Sequence, residues 1–164
     1  MPLPAFIQSS ATISECRRYR YTLKRVWDAE LPVCTFIMFN PSTADAEVLD
    51  WTISRCVNFA IRENCGALLV LNVFSLRSPY PNDVRAAGHE AIGPENDETI
   101  SAELEQAEGP VIAAWGGFRW ARERIEAVRE IIGERQILCL GLNNDGTPCH
   151  PLYRPHDTVL QVLP

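Results

Sequence analysis

Long apolar runs are missing from this sequence. None approaches the roughly 18 residues that a membrane span requires, so no membrane association is expected. The opening residues, MPLPAFIQSSATIS, have neither the charged start nor the long apolar middle of a secretory leader, and the expected location is cytoplasmic. The six cysteines are Cys16, Cys34, Cys56, Cys65, Cys139 and Cys149, with no C-x-x-C pair among them. That spacing argues against a zinc or iron–sulfur site, so neither metal nor cofactor is expected. Cys34 and Cys139 lie inside apolar runs, where cysteine behaves as a small hydrophobe, in keeping with a reducing compartment. A Walker loop, G-x-S-x-G and H-E-x-x-H are all absent. Cys149 and His150 are adjacent, but neighbours in sequence rarely form a nucleophile–base pair. Excess positive charge is lacking too: the net charge of −6 argues against bulk, phosphate-driven binding to nucleic acid.

Without internal repeats or a low-complexity linker, the 164 residues read as one α/β domain over 1–164, long enough to bury a real core. Four short apolar runs, VCTFIMF (33–39), ALLVLNVF (67–74), PVIAAW (110–115) and QILCLGL (136–142), have the continuous apolar character of parallel strands covered on both faces. Helical spacing separates them. Residues 48–63 place Trp51, Ile53, Val57, Ala60 and Ile61 near helical spacing, with Gly66 as a terminator. Residues 96–107 begin with Asn96 or Asp97 as cap. Residues 118–132 space Phe118, Ala121, Ile125, Val128 and Ile132 at three and four before Gly133. The alternation predicts a three-layer sandwich around a mostly parallel four-stranded sheet. The segment CRRYRYTLKR (16–25) alternates Tyr19, Tyr21 and Leu23 with Arg18, Arg20 and Lys24. It predicts an N-terminal antiparallel edge strand or hairpin with a solvated charged face, the competing reading being a stripe of phosphate contacts. The stretch 75–95 is rich in Pro and Gly and long, with a helical turn expected near 82–87.

In open parallel sheets, ligands bind beyond the carboxyl ends of the strands. The first run delivers Asn40, Pro41, Ser42, Thr43 and Asp45 there; the second Asn72, then Ser75 and Arg77; the third Trp115, Gly116 and Gly117; the last Asn143, Asn144, Asp145 and His150. Each has a plain structural alternative. Asn40-Pro41 is a turn signal, and Ser42, Thr43 or Asp45 could cap a helix. His150 could be a loop histidine, and Trp115-Gly116-Gly117 a core residue followed by a tight turn. Asn72 is harder to set aside, because an amide interrupting LLVLNVF costs roughly 1–3 kcal/mol if it finds no partner.

The motifs NPSTAD, NVFSLR, GPENDE, AAWG and HPLY, in this order, resemble the uncharacterised domain-of-unknown-function family 1643 from about Cys16 to Tyr153. More distantly, four segments resemble the uracil-DNA glycosylase superfamily. MFNP is similar to that superfamily's first motif, which implies a water-positioning role for Asn40. LLVLNVFSLR is similar to its base-reading strand, implying that Asn72 reads the edge of a base. VIAAWGGFRW is similar to its Trp-Gly strand, and CHPLYRP to its His-Pro motif, implying that His150 contacts the leaving group. Two departures stand out: Met38 replaces a glycine, and Leu152 and Tyr153 replace a Ser-Pro.

The implied partner is a nucleobase-containing substrate, in DNA or as a small nucleoside or nucleotide, and the implied activity is N-glycosidic hydrolysis. An amide offers a donor and an acceptor complementary to the edge of uracil or thymine, which suits Asn72. A neutral imidazole can donate to the departing base, which suits His150. Asn40 can orient water but cannot accept its proton, leaving Asp45 as the nearest base in sequence. Ser42, Arg77, Trp115 and Tyr153 are further candidates for the wall of the site. Phe39 and Phe74 are stacking candidates whose alternative is simple core packing. The alternatives to an enzyme are a non-catalytic nucleotide- or nucleic-acid-binding module on the same fold, and a scaffold with a degenerate pocket.

Overall fold

The computed structural model describes residues 2–164. A single mixed sheet of seven strands organises them: β1 (Gln8–Ile13), β2 (Arg20–Val26), β3 (Val33–Met38), β4 (Ala67–Asn72), β5 (Val111–Ala113), β6 (Leu138–Cys139) and β7 (Gln161–Val162). Their spatial order is β1-β2-β4-β3-β5-β6-β7. The four apolar runs form the parallel centre, β4-β3-β5-β6. The β1-β2 hairpin joins antiparallel on one side and β7 on the other. The expected four strands are therefore the middle of a larger sheet. β7 is two residues long, too short for a pattern to show in sequence.

Strand alternation sends successive side chains to opposite faces. Cys34, Phe36, Met38, Leu68, Val70 and Ile112 pack with α1 (Trp51–Arg62). On the other face, Ile37, Leu69, Leu71, Val111 and Ala113 pack with α2 (Pro81–Ala87), α3 (Asn96–Glu105) and α4 (Arg122–Ile132). One helix thus covers one face and three cover the other.

Several local expectations are corrected. The third and fourth strands are shorter than their apolar runs, Val111–Ala113 within 110–115 and Leu138–Cys139 within 136–142, and Gly141 follows the fourth with φ of 100°. Gly66 does not end α1; Asn64, at φ 57°, takes the left-handed position one residue past the cap. Gly66 instead lets the chain pass Asp28, whose carbonyl oxygen would stand 1.9 Å from a Cβ there. Asn96 is the first residue of α3 and makes no side-chain cap; its amide points inward, to the carbonyls of Asn72 and Val73. Trp51 is not on the apolar face of α1. Asp50 is the cap, accepting from the Ile53 N–H at 2.8 Å, so Trp51 opens the helix and stands 84% exposed.

The charged hairpin face is corrected as well. Arg20 and Arg25 are both 2% exposed. The β1–β2 register shifts so that Thr22 faces Thr12 while Arg20 faces Ile13. This bulge puts Arg20 on the same side as Leu23 and Arg25, against the loop that follows β3. Arg20 donates to the Ala44 carbonyl, and Arg25 to those of Asp45 and Val48.

Candidate functional site

Because β3 to β6 are parallel, their carboxyl ends meet at one edge, and a cavity of about 600 Å³ opens there. Met38 lines it from β3, Phe39 and Asn40 from the residues just after β3, Asn72 from β4, Trp115 to Phe118 from the segment after β5, and Asn143, Cys149 and His150 from the segment after β6. The amino end of α1 contributes Asp50, Thr52 and Ile53. The fold thus brings together Asn40, Asn72, His150, Phe39, Ser42, Trp115 and Tyr153 from the sequence candidates.

Asn72 pairs in register with Met38 and is 1% exposed. Its backbone carbonyl accepts from Asn96 Nδ2 at 2.9 Å. Its side chain differs: neither Oδ1 nor Nδ2 has a partner among the described residues. Buried polar atoms are almost always hydrogen-bonded, so an amide open at both ends on a cavity wall stands out from the rest of the sheet.

Asn40 is arranged in the opposite way. Its Nδ2 donates to the carbonyls of Pro41, Leu76 and Ser78 at 3.0, 3.3 and 2.8 Å. The side chain ties the strand end to the 76–78 loop, and its Oδ1 is left to accept from water or ligand.

His150 caps the 3-10 turn Pro151–Tyr153, with Nδ1 accepting from the Leu152 N–H at 3.2 Å. That bond places the neutral ring's proton on Nε2. Burial holds the imidazole below its ordinary pKa, opposed by the nearby Asp50 carboxylate. His150 is therefore a neutral donor at physiological pH.

Phe39 stacks on Phe118, with ring centroids 4.1 Å apart, and meets Phe74 and Trp120 edge-on at 5.3 and 5.5 Å. It is core and cavity wall at once. Phe74 is core alone, outside the cavity. Trp115 is buried, whereas Tyr153 stands 80% exposed at the mouth. Arg77 also lies off the wall and donates to the Arg17 carbonyl at 3.2 Å. Asp45 is outside too. Its Oδ1 accepts from the Glu47 and Val48 N–H groups, each at 2.8 Å, and those bonds hold its pKa below the usual carboxylate value. It shapes the turn before α1.

Sequence reasoning missed three charged wall residues: Arg20, Asp50 and Arg154. Asp50 carried a signal, an acid three residues before Ile53 at a helix start. Arg20 had only its place between two tyrosines, and the bulge that buries it is invisible in the pattern. Among the described residues, Asp50 is the one carboxylate lining the cavity. Among the described residues no three His, Cys, Asp or Glu side chains gather in a metal-holding group, and no described helix is long and apolar enough to cross a membrane.

The family model described as Protein of unknown function (DUF1643) matches residues 20–152, a span reaching from the buried Arg20 to the turn capped by His150. The chain belongs to this family. Its matched span contains the four parallel strands and every cavity residue named above except Tyr153 and Arg154. Neither the curated proteins nor the solved structures yield a match.

Proposed function

We propose that the cavity binds a nucleobase, with Asn72 reading its edge, and that hydrolysis of the base's N-glycosidic bond is the reaction its groups support. The observation that carries this reading is the Asn72 side chain, buried with both amide atoms unpaired. A ligand offering one acceptor and one donor on adjacent atoms would satisfy both, and the edge of uracil or thymine is such a ligand. Phe39 and Trp115 supply apolar wall for a planar ring. The short motifs that resemble the uracil-DNA glycosylase superfamily favour the same reading.

The chemistry asks for little more. As the bond between base and sugar breaks, its electron pair moves onto the base, and His150 Nε2–H can donate to the developing charge on the base carbonyl. Water then adds to the sugar carbon. Asn40 Oδ1 can orient that water, and Asp50 is the wall carboxylate able to take its proton.

A second reading, a nucleotide-binding module without turnover, is favoured by one feature. The Asn40 amide is committed to three backbone carbonyls, which suits a structural tie as well as a catalytic group.

Screening nucleobases, nucleosides and nucleotides by thermal shift, with product analysis of the hits, tests the proposal. Asn72→Asp keeps an acceptor and loses the donor, so uracil-like ligands should lose roughly 1–3 kcal/mol of binding. His150→Ala should lower turnover more than binding, since the leaving-group charge exists only in the transition state. A lower melting temperature with ligand preference intact would leave Asn72 without a recognition role.

A further inference from the structure

We infer that the ligand of this cavity carries a phosphate ester and that Arg20 is its principal binding group. The base part of the ligand rests on the preceding proposal; the anion subsite rests on Arg20 itself.

Arg20 lines the cavity at 2% exposure. Its Nη1 donates to the Ala44 carbonyl at 2.6 Å, but its Nε has no partner among the described residues. Among the described residues no carboxylate lies within 4.0 Å of the guanidinium. Arg25, equally buried, is different: its two terminal nitrogens reach the carbonyls of Lys24, Asp45 and Val48. A buried cation without a carboxylate in contact is costly. Burial pushes the Arg20 pKa down to about 10, which leaves it charged at neutral pH.

The surroundings favour an anion from the ligand. Asp50 and Asp45 attract Arg20, while Arg77 and Arg25 repel it. Both carboxylates already accept backbone N–H groups through Oδ1, at the start of α1 and in the turn before it. The amino end of α1, a 12-residue helix, faces the same wall through Asp50, Thr52 and Ile53, and its dipole adds positive potential. Arg154, on the same wall, also has an unpaired Nε. A guanidinium with free N–H groups matches phosphate oxygens in geometry and charge. The phosphate could belong to a free mononucleotide or to a nucleic-acid strand.

Calorimetry with deoxyuridine, its 5′-monophosphate, inorganic phosphate and a short single-stranded oligodeoxyuridine tests this. The monophosphate should bind about tenfold or more tighter than the nucleoside, and the gap should vanish in Arg20→Gln. A mononucleotide binding more tightly than the oligonucleotide assigns the phosphate to a free nucleotide, and the reverse order to a strand. Asp50→Asn keeps the helix cap and removes the competing charge, so its affinity for inorganic phosphate should rise. Equal affinity for nucleoside and monophosphate, or a gap that survives in Arg20→Gln, overturns the inference. Should Arg20→Gln not fold, unchanged or weaker phosphate binding by Asp50→Asn overturns it. Phosphate binding that is lost in Arg20→Gln, with no nucleoside bound at all, sustains the anion subsite and removes the base reading.

Discussion

The carboxyl end of β4 has two sides, and they handle buried polar groups in opposite ways. On the side of α3 and α4, Asn96 Nδ2 reaches the carbonyls of Asn72 and Val73 at 2.9 and 3.2 Å. Arg124 donates from Nε to Val73 at 2.9 Å and from Nη2 to Asp97 at 2.5 Å. Asn96 Oδ1 and the Tyr21 hydroxyl are left over there. On the cavity side, Asn72 leaves both amide atoms unpaired, and Arg20 has one backbone acceptor and no carboxylate. The same two residue types, asparagine and arginine, brace the fold on one side and stand open on the other. Unpaired groups are kept where a ligand could complete them, at a cost to stability that the braced side does not carry.

Cutting the braced side should have the largest effect. Arg124→Met removes a pair in which only the arginine is buried, together with a charged hydrogen bond to Val73, and chemical denaturation should show a loss of about 3 kcal/mol. The two asparagines then sharpen the contrast, because the same change should act with opposite sign. Asn96→Leu orphans a backbone carbonyl and should cost about 2 kcal/mol, whereas Asn72→Leu removes two unpaired atoms and should stabilise by about 1 kcal/mol while abolishing ligand binding. A loss of stability in Asn72→Leu equal to that of Asn96→Leu would erase the distinction between the two sides.

The smallest effect is a pH dependence on the cavity side. His150 titrates below its ordinary value because it is buried, so the unfolded chain takes up the proton first as pH falls. Its contribution to stability is present above about pH 6.5 and is lost as pH drops through the folded-state pKa. His150→Gln should flatten that part of the stability–pH profile, measured by denaturation between pH 7.5 and 5, values chosen to bracket roughly the histidine range.

The parallel centre was legible because buried parallel strands are apolar throughout, and VCTFIMF, ALLVLNVF, PVIAAW and QILCLGL all read that way. The convergence of Asn40, Asn72, Trp115 and His150 on one edge followed from the same reading, since parallel strands end together. Strand and helix periods, and an amide intruding on an apolar run, are local properties of the chain. They determined the α/β class, the helices between strands and the edge at which polar residues collect.

The tertiary structure decided which of those polar groups are already paired. Asn40 and Asn72 look alike at two strand ends, yet one spends its amide on the 76–78 loop and the other spends it on nothing. Asp45 and Asp50 lie five residues apart, yet only Asp50 reaches the cavity. Arg20 looked solvated until a one-residue bulge against β1 turned it inward, toward a loop 24 residues away in sequence. The outcomes at Asn40 and Arg20 depend on partners distant along the chain, and side-chain pairing of that kind leaves no period in the sequence to read.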